Sequence, residues 1–305
     1  MKEYVRGKNF FLVKEQEGGD IVIKSSGYTI DDKAINENWL LTQLRTLPFK
    51  DRSNKPDPFI FEGQKKRLEP FSGKEVYSLY FSPECKGIKD AQEEFSEYLN
   101  GKLSKYYTNG SVQRTHAKRV SYVGYSKGAL FIAGLDIKQP SKIIFVAPPF
   151  SGTIIGNKAK VDEVFRRYEQ LHELNVFQKA EIKLYRSLFH LIGSERSVDL
   201  DMDPGSEFIS HLNLDHLSKH KIILIWDKCP ANPTIADAVF KRVGKYLRLD
   251  KNADGMVSVS SQRTRLMNLE TIEENVLATH PTVMGKAETI SMVRFFCRYY
   301  KNIKK

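Results

Sequence analysis

The chain has 305 residues, 41% of them hydrophobic, a composition that can bury a sizeable core and that places residues 1–305 as one domain with room for an insertion. A formal net charge of +11 and a pI near 9.3 admit an anionic partner, yet the basic residues are scattered except for short clusters at Lys65-Lys66-Arg67 and 301–305. That dispersal fits a solvated basic surface and argues against a dedicated nucleic-acid patch, while three distant cysteines without C-x-x-C spacing argue against a disulfide framework or a zinc site.

The first residues, Met-Lys-Glu-Tyr-Val-Arg-Gly-Lys, hold no apolar signal core, and no segment approaches the roughly 18 uninterrupted apolar residues that a membrane span needs. A reducing, cytoplasmic location is the expectation. In chain order, Asp20 to Lys24 reads as a β-branched strand closed by the turn Ser25-Ser26-Gly27-Tyr28, followed by a helical stretch over Asn36 to Leu47. Lys50 to Pro70, rich in Pro, Lys and Asp, reads as an exposed loop. Glu75 to Phe81 is the next strand. Ile88 to Leu103 carries Ile88, Ala91, Phe95 and Leu99 at helical spacing, with acids on the other face. Lys142 to Ala147 is a buried-type strand closed by Pro148-Pro149, and Ile222 to Trp226 is another. Glu288 to Tyr300 reads as a closing helix with Ile290, Val293, Phe296 and Cys297 on its apolar side. Alternating strands and helices predict an α/β fold with a parallel sheet covered on both faces.

Between Lys158 and Arg196 the pattern changes to charged helix with Val164, Tyr168, Leu171, Leu174, Phe177 and Leu184, and no strand signal. Residues 158–196 are therefore expected to form a helical insertion, either a cap over an apolar pocket or a helical pair packed on the core.

The most informative segment is Val120 to Leu135, in which a β-branched strand runs through Gly124-Tyr125-Ser126-Lys127-Gly128 into an apolar helix. This is the strand–turn–helix context of a G-x-S-x-G nucleophile elbow, with small residues for close backbone packing and helix N–H groups aimed at a reacting oxygen. Ser126 is the candidate nucleophile. A serine hydroxyl needs a histidine to take its proton and an acid to orient that histidine, and enzymes with this elbow order them serine, acid, histidine along the chain. That order excludes His116. His172 and His190 fall in the expected insertion, and His211, His216 and His220 lie on a polar stretch that reads as surface. His280, held out of helix by Pro281, is the expected base. Two acids satisfy the order, Asp254 in an Asp-Gly turn and Asp227 directly after the strand Ile222 to Trp226, and position alone does not separate them.

Four ordered segments carry a resemblance to a known family: Gly124 to Gly128, Pro149-Phe150-Ser151-Gly152-Thr153, Asp203-Pro204-Gly205-Ser206-Glu207-Phe208, and Asp254-Gly255-Met256-Val257-Ser258. They resemble the elbow, the P-H-x-G-[ST], the P-G-S-x-F and the D-G-x-V of α/β-hydrolases of the lipase and esterase type, similar to bacterial triacylglycerol lipases. The resemblance implies an α/β-hydrolase fold and places the acid at Asp254, with Asp227 as the alternative. It also implies a backbone oxyanion hole from Tyr28 and from Lys127, the residue after the nucleophile. The family's H-G before the first donor reads Ser26-Gly27 here, which keeps the glycine and loses the histidine. Lys127 brings a positive charge beside the nucleophile, directed either to an anionic substrate or to solvent. The implied activity is hydrolysis of a carboxylic ester, small or lipid-like, without cofactor or metal; the excess positive charge, with an insertion that carries both Lys/Arg and Leu/Phe/Tyr, adds peripheral contact with an anionic membrane as an expectation. An acyltransferase or thioesterase on the same triad, and a non-catalytic binding protein with this fold, are the rival readings.

Overall fold

The computed structural model describes residues 4–29, 71–101, 119–192, 196–231, 235–247, 249, 253–280 and 283–299. The expected helix over 36–47 and the expected loop over 50–70 lie outside these residues. Eight strands form one sheet in the order β1-β2-β4-β3-β5-β6-β7-β8. They are β1 (Tyr4–Arg6), β2 (Phe10–Gln16), β3 (Ile21–Thr29), β4 (Glu75–Phe81), β5 (Val120–Tyr125), β6 (Lys142–Val146), β7 (Lys221–Lys228) and β8 (Thr271–Leu277). From β4 through β3 to β8 every pairing is parallel, whereas β1 and β2 add an antiparallel edge.

The central strands are near-continuous runs of Val, Ile and Phe because both faces of the sheet are covered. Ile143 and Phe145 turn to one face with Ile23, Tyr122 and Leu224, where the helix Ile88–Gly101 and the helix Lys127–Ala133 pack. Ile144 and Val146 turn to the other with Val123, Ile223 and Ile225, against the helix Ala287–Tyr299. Two clusters thus flank one sheet, the arrangement that alternating strands and helices dictate.

Between β6 and β7 the chain forms the helices Lys158–Leu171 and Val176–Ile192, joined by a short turn. Val161, Phe165, Ile182 and Tyr185 of this hairpin bury against Val243 and Tyr246 of the helix Ile235–Tyr246 and against Met256 and Val257. Val164, Tyr168 and Leu174 pack partly into the same cluster, while Leu171, Phe177 and Leu184 face outward. The hairpin therefore has two apolar surfaces, one buried and one exposed. No helix among the described residues is long and apolar enough to cross a membrane.

Candidate active site

The parallel strands end at one edge of the sheet, and the site is built there. Ser25 of β3 pairs with Gly124 of β5, so Tyr28 and Ser126, three and two residues further on, reach the same edge on neighbouring strands. Ser126 stands between β5 and the helix Lys127–Ala133 with φ 53° and ψ −129°, a left-handed conformation that a side-chain-bearing residue adopts only under constraint. Its N–H donates to the Val146 carbonyl on β6 at 3.0 Å, and its own carbonyl accepts from the Ala129 N–H at 2.9 Å. Gly124 makes the tight turn possible, since a Cβ there would stand 2.5 Å from the Ala129 Cα.

His280 arrives from the loop after β8. Its Nε2 is 2.7 Å from the Ser126 Oγ and its Nδ1 is 2.7 Å from the Asp254 Oδ2. The ring is 4% exposed and stacks on Tyr125 with 5.3 Å between centroids, and the Tyr125 hydroxyl donates to the His280 carbonyl at 2.5 Å. The His280 N–H donates to the Asp254 carbonyl at 3.1 Å, so backbone and side chain tie the two loops together. Asp254 is fully buried, and its Oδ1 accepts the N–H groups of Met256 at 2.7 Å and Val257 at 2.6 Å. Two backbone donors fix one oxygen and aim the other at the imidazole. Gly255, at φ 94°, supplies the turn between acid and donors.

Gln262, from the short helix Val259–Arg263, is a further participant that no sequence pattern marks. Its Nε2 donates to the Asp227 carbonyl at 3.1 Å and to the Asp254 Oδ2 at 3.3 Å, and its Oε1 accepts from the Asp227 N–H at 3.0 Å. One buried amide thereby joins the end of β7 to the acid. Asp227 lies beside this network and not on the imidazole hydrogen bond, so of the two acids it is Asp254 that meets His280. Asp227, Asp254 and His280 are the cluster of potential metal-binding side chains among the described residues, with donor atoms within 4.8 Å of one another. Both imidazole nitrogens and the Asp254 oxygens already hold hydrogen bonds, and that arrangement suits a proton relay better than a cation.

Lys127 corrects an expectation. Its side chain points neither to solvent nor to a substrate but is buried, with Nζ paired to Asp199 Oδ1 and lying 5.2 Å from the Phe81 ring centroid. Burial lowers the pKa of its ammonium from the ordinary lysine value, and the Asp199 charge opposes that shift. Its backbone opens the helix after Ser126, where N–H groups lack partners within the helix. His220 corrects a second, being buried rather than on the surface, with its Nδ1 accepting the Ser141 N–H at 3.1 Å.

The other motif segments converge beside the acid. The Thr153 N–H donates to the Met202 carbonyl at 2.7 Å and its hydroxyl to the Met256 carbonyl at 2.7 Å, and a Cβ on Gly152 would stand 2.7 Å from the Pro204 Cα. A cavity lined by Ser151, Thr153, Pro204, Leu247 and Ser258 lies at this junction and includes neither Ser126 nor His280.

No family model and no curated protein matches the chain by sequence. Among solved structures, a lipase of Bacillus licheniformis in mature form superposes with a TM-score of 0.52 at 13% identity, covering 96% of this chain and 98% of that one. An alpha/beta hydrolase fold protein from Chitinophaga pinensis gives 0.47 at 13% identity over 98% of both chains, and the carboxylesterase CesB of Bacillus subtilis gives 0.48 at 11% identity over 97% and 91%. With the lipase match and the sheet described above, the chain has the α/β-hydrolase fold.

Proposed function

We propose that the protein is a serine hydrolase that cleaves carboxylic esters, lipid-like ones in particular, through an acyl-enzyme. The observation that carries this reading is the continuous relay from the Ser126 Oγ through both nitrogens of His280 to Asp254, with each link at 2.7 Å. In the reaction the Ser126 oxygen adds to the ester carbonyl while His280 Nε2 takes the hydroxyl proton, and Asp254 stabilises the resulting imidazolium and fixes its tautomer. His280 returns the proton to the leaving alcohol. A water then adds to the acyl-enzyme by the same route and releases the carboxylic acid. The N–H groups of Lys127 and Tyr28 are the proposed oxyanion donors, a role that main-chain groups fill whatever the side chain.

The strained Ser126 backbone supports catalysis over a merely inherited fold, because such strain persists where surrounding structure maintains it and clusters at functional sites. Incubation with a fluorophosphonate probe tests the reading. Covalent capture of Ser126 in the wild type, absent in Ser126→Ala, is the expected result, and an unlabelled wild type overturns it. Product analysis with added alcohol acceptors separates hydrolase from acyltransferase.

The lipid preference and an anionic membrane as the working surface rest on the helical hairpin, for which we propose a cap role. Val176, Ala180 and Leu184 recur four residues apart on the side of their helix opposite the buried Ile182 and Tyr185. Val176 is 80% and Phe177 85% exposed, next to exposed Lys179 and Lys183. An apolar stripe edged by lysines matches an anionic lipid surface.

A further inference from the structure

Asp227 is 0% exposed, and neither of its carboxyl oxygens makes a hydrogen bond of normal geometry to a donor among the described residues, the Gln262 amide and the Asp227 N–H acting on the carboxyl less than burial and Asp254 do. A buried carboxyl without a well-placed donor is costly if ionised, and more so here, where the carboxylate of Asp254 lies within 4.8 Å. The titratable groups that face it are Asp254, from the loop before the helix Val259–Arg263, and His280, from the loop after β8, while that helix contributes the neutral Gln262. Gln262 binds the Asp227 backbone at both N–H and carbonyl, and thereby locks the residue in place behind the acid.

We propose that Asp227 is a positioning residue of this site, a neutral carboxylic acid whose hydroxyl donates to the Asp254 carboxylate from behind, so that the two acids hold one proton and one negative charge. The proposal rests on the triad reading given above. Burial first, and the charge of Asp254 second, push the Asp227 carboxyl well above the usual carboxylate range, the direction that favours its neutral form. A hydrogen bond from Asp227 spreads the Asp254 charge and weakens its hold on the imidazolium. His280 then returns its proton to the leaving alcohol more readily than it would beside an isolated carboxylate. This also accounts for two acids at the two positions that satisfy the chain order: one orients the imidazole, the other tempers the first.

The sign of a histidine titration tests the idea without depending on catalysis. The His280 imidazole is followed by NMR with labelled histidine in the full-length protein, and infrared difference spectra between wild type and Asp227→Asn look for the carbonyl stretch of a protonated carboxyl at neutral pH. We expect that band in the wild type and its loss in Asp227→Asn. The amide of Asp227→Asn still donates, so the His280 pKa should stay in place. Asp227→Leu removes the donor and should raise that pKa by about one unit, a tenfold change in proton affinity. If the band is missing, or if both variants lower the His280 pKa, Asp227 is ionised and the proposal fails. If Asp227→Leu folds and leaves the pKa unmoved, Asp227 is structural only and the proposal fails too. Should Asp227→Leu not fold, the infrared band alone decides. Failure of Ser126 to react with the fluorophosphonate would instead overturn the triad reading and leave these titrations interpretable.

Discussion

Replacing Asp254 with asparagine changes one atom and should reverse the direction of the relay. In the wild type the Asp254 Oδ1 is fixed by two backbone donors at 2.7 and 2.6 Å, while Oδ2 accepts from the His280 Nδ1 at 2.7 Å. An asparagine oxygen keeps the two backbone donors, which places its NH₂ against Nδ1. Nδ1 must then become the acceptor, and the ring proton moves to Nε2, 2.7 Å from the Ser126 Oγ. An imidazole in that tautomer cannot take the serine proton. Turnover is expected to fall on the order of ten-thousandfold, the scale that a wrong tautomer costs a Ser-His-Asp triad and about 5 kcal/mol on the barrier. Substrate binding is largely kept, so kcat should fall with KM little changed. The assay is steady-state hydrolysis of p-nitrophenyl esters of increasing chain length, with circular dichroism to confirm folding. Loss of less than tenfold in Asp254→Asn, or a larger loss in Asp227→Asn, would refute the assignment of the acid.

Other consequences are as direct. Ser126→Ala should abolish hydrolysis and leave the fold intact, whereas Ser126→Gly should also relieve the left-handed backbone and raise Tm by about 2–4 °C for each kcal/mol released; an unchanged or lower Tm in the glycine variant would count against strain at the elbow. Gly124→Ala forces a Cβ onto the Ala129 backbone, so thermal unfolding should register a loss of about 1–3 kcal/mol together with impaired turnover. The hairpin surface predicts that the wild type co-sediments with phosphatidylserine-containing liposomes at low ionic strength and less so with added salt, and that Phe177→Asp combined with Lys179→Glu abolishes this while sparing a soluble ester; binding indifferent to salt or to the variant would exclude that surface. His220 is held neutral, with burial pulling its pKa down to about 4 from the ordinary value near 6.5. The unfolded chain therefore takes up the proton first as pH falls, so stability is retained above about 6.5 and lost progressively between there and about 4, and His220→Gln should flatten that acid limb in denaturant titrations.

The apolar interior of the fold was legible in the sequence because parallel strands buried on both faces leave unbroken Val and Ile runs, as at 142–147 and 222–226. The edges were not. β8 reads Thr-Ile-Glu-Glu-Asn-Val-Leu and lies at one edge of the sheet with several positions open to solvent, so its composition carries little strand signal. The antiparallel β1 and β2 carry no clear strand signal, since Phe10 to Gln16 grades from apolar into charged without alternation. Ser126 and His280 were accessible because the elbow and the order of residues along the chain constrain them. The separation of Asp254 from Asp227 depended on a turn motif, as both acids end up beside the same imidazole and only three-dimensional placement shows which one touches it. Gln262 left no trace, because a buried amide that bridges two loops has no local pattern. The burial of Lys127 was equally hidden, for its partner Asp199 lies 72 residues away.

The ends of the excursion that contains the helical hairpin meet at a single point. The Thr153 N–H bonds the Met202 carbonyl, and Asp203 accepts from the Asn157 side chain at 3.0 Å and from the Lys160 Nζ at 2.6 Å. A segment that leaves and re-enters through one clasp can change length with little cost in closure entropy, because that cost grows only with the logarithm of the number of residues. The clasp makes the hairpin an exchangeable module. A shorter or longer replacement grafted between 157 and 203, provided that it still covers Val243, Tyr246 and Met256, would leave the sheet that positions Ser126, Asp254 and His280 in register, and on the cap role proposed above it would change which substrates are accepted.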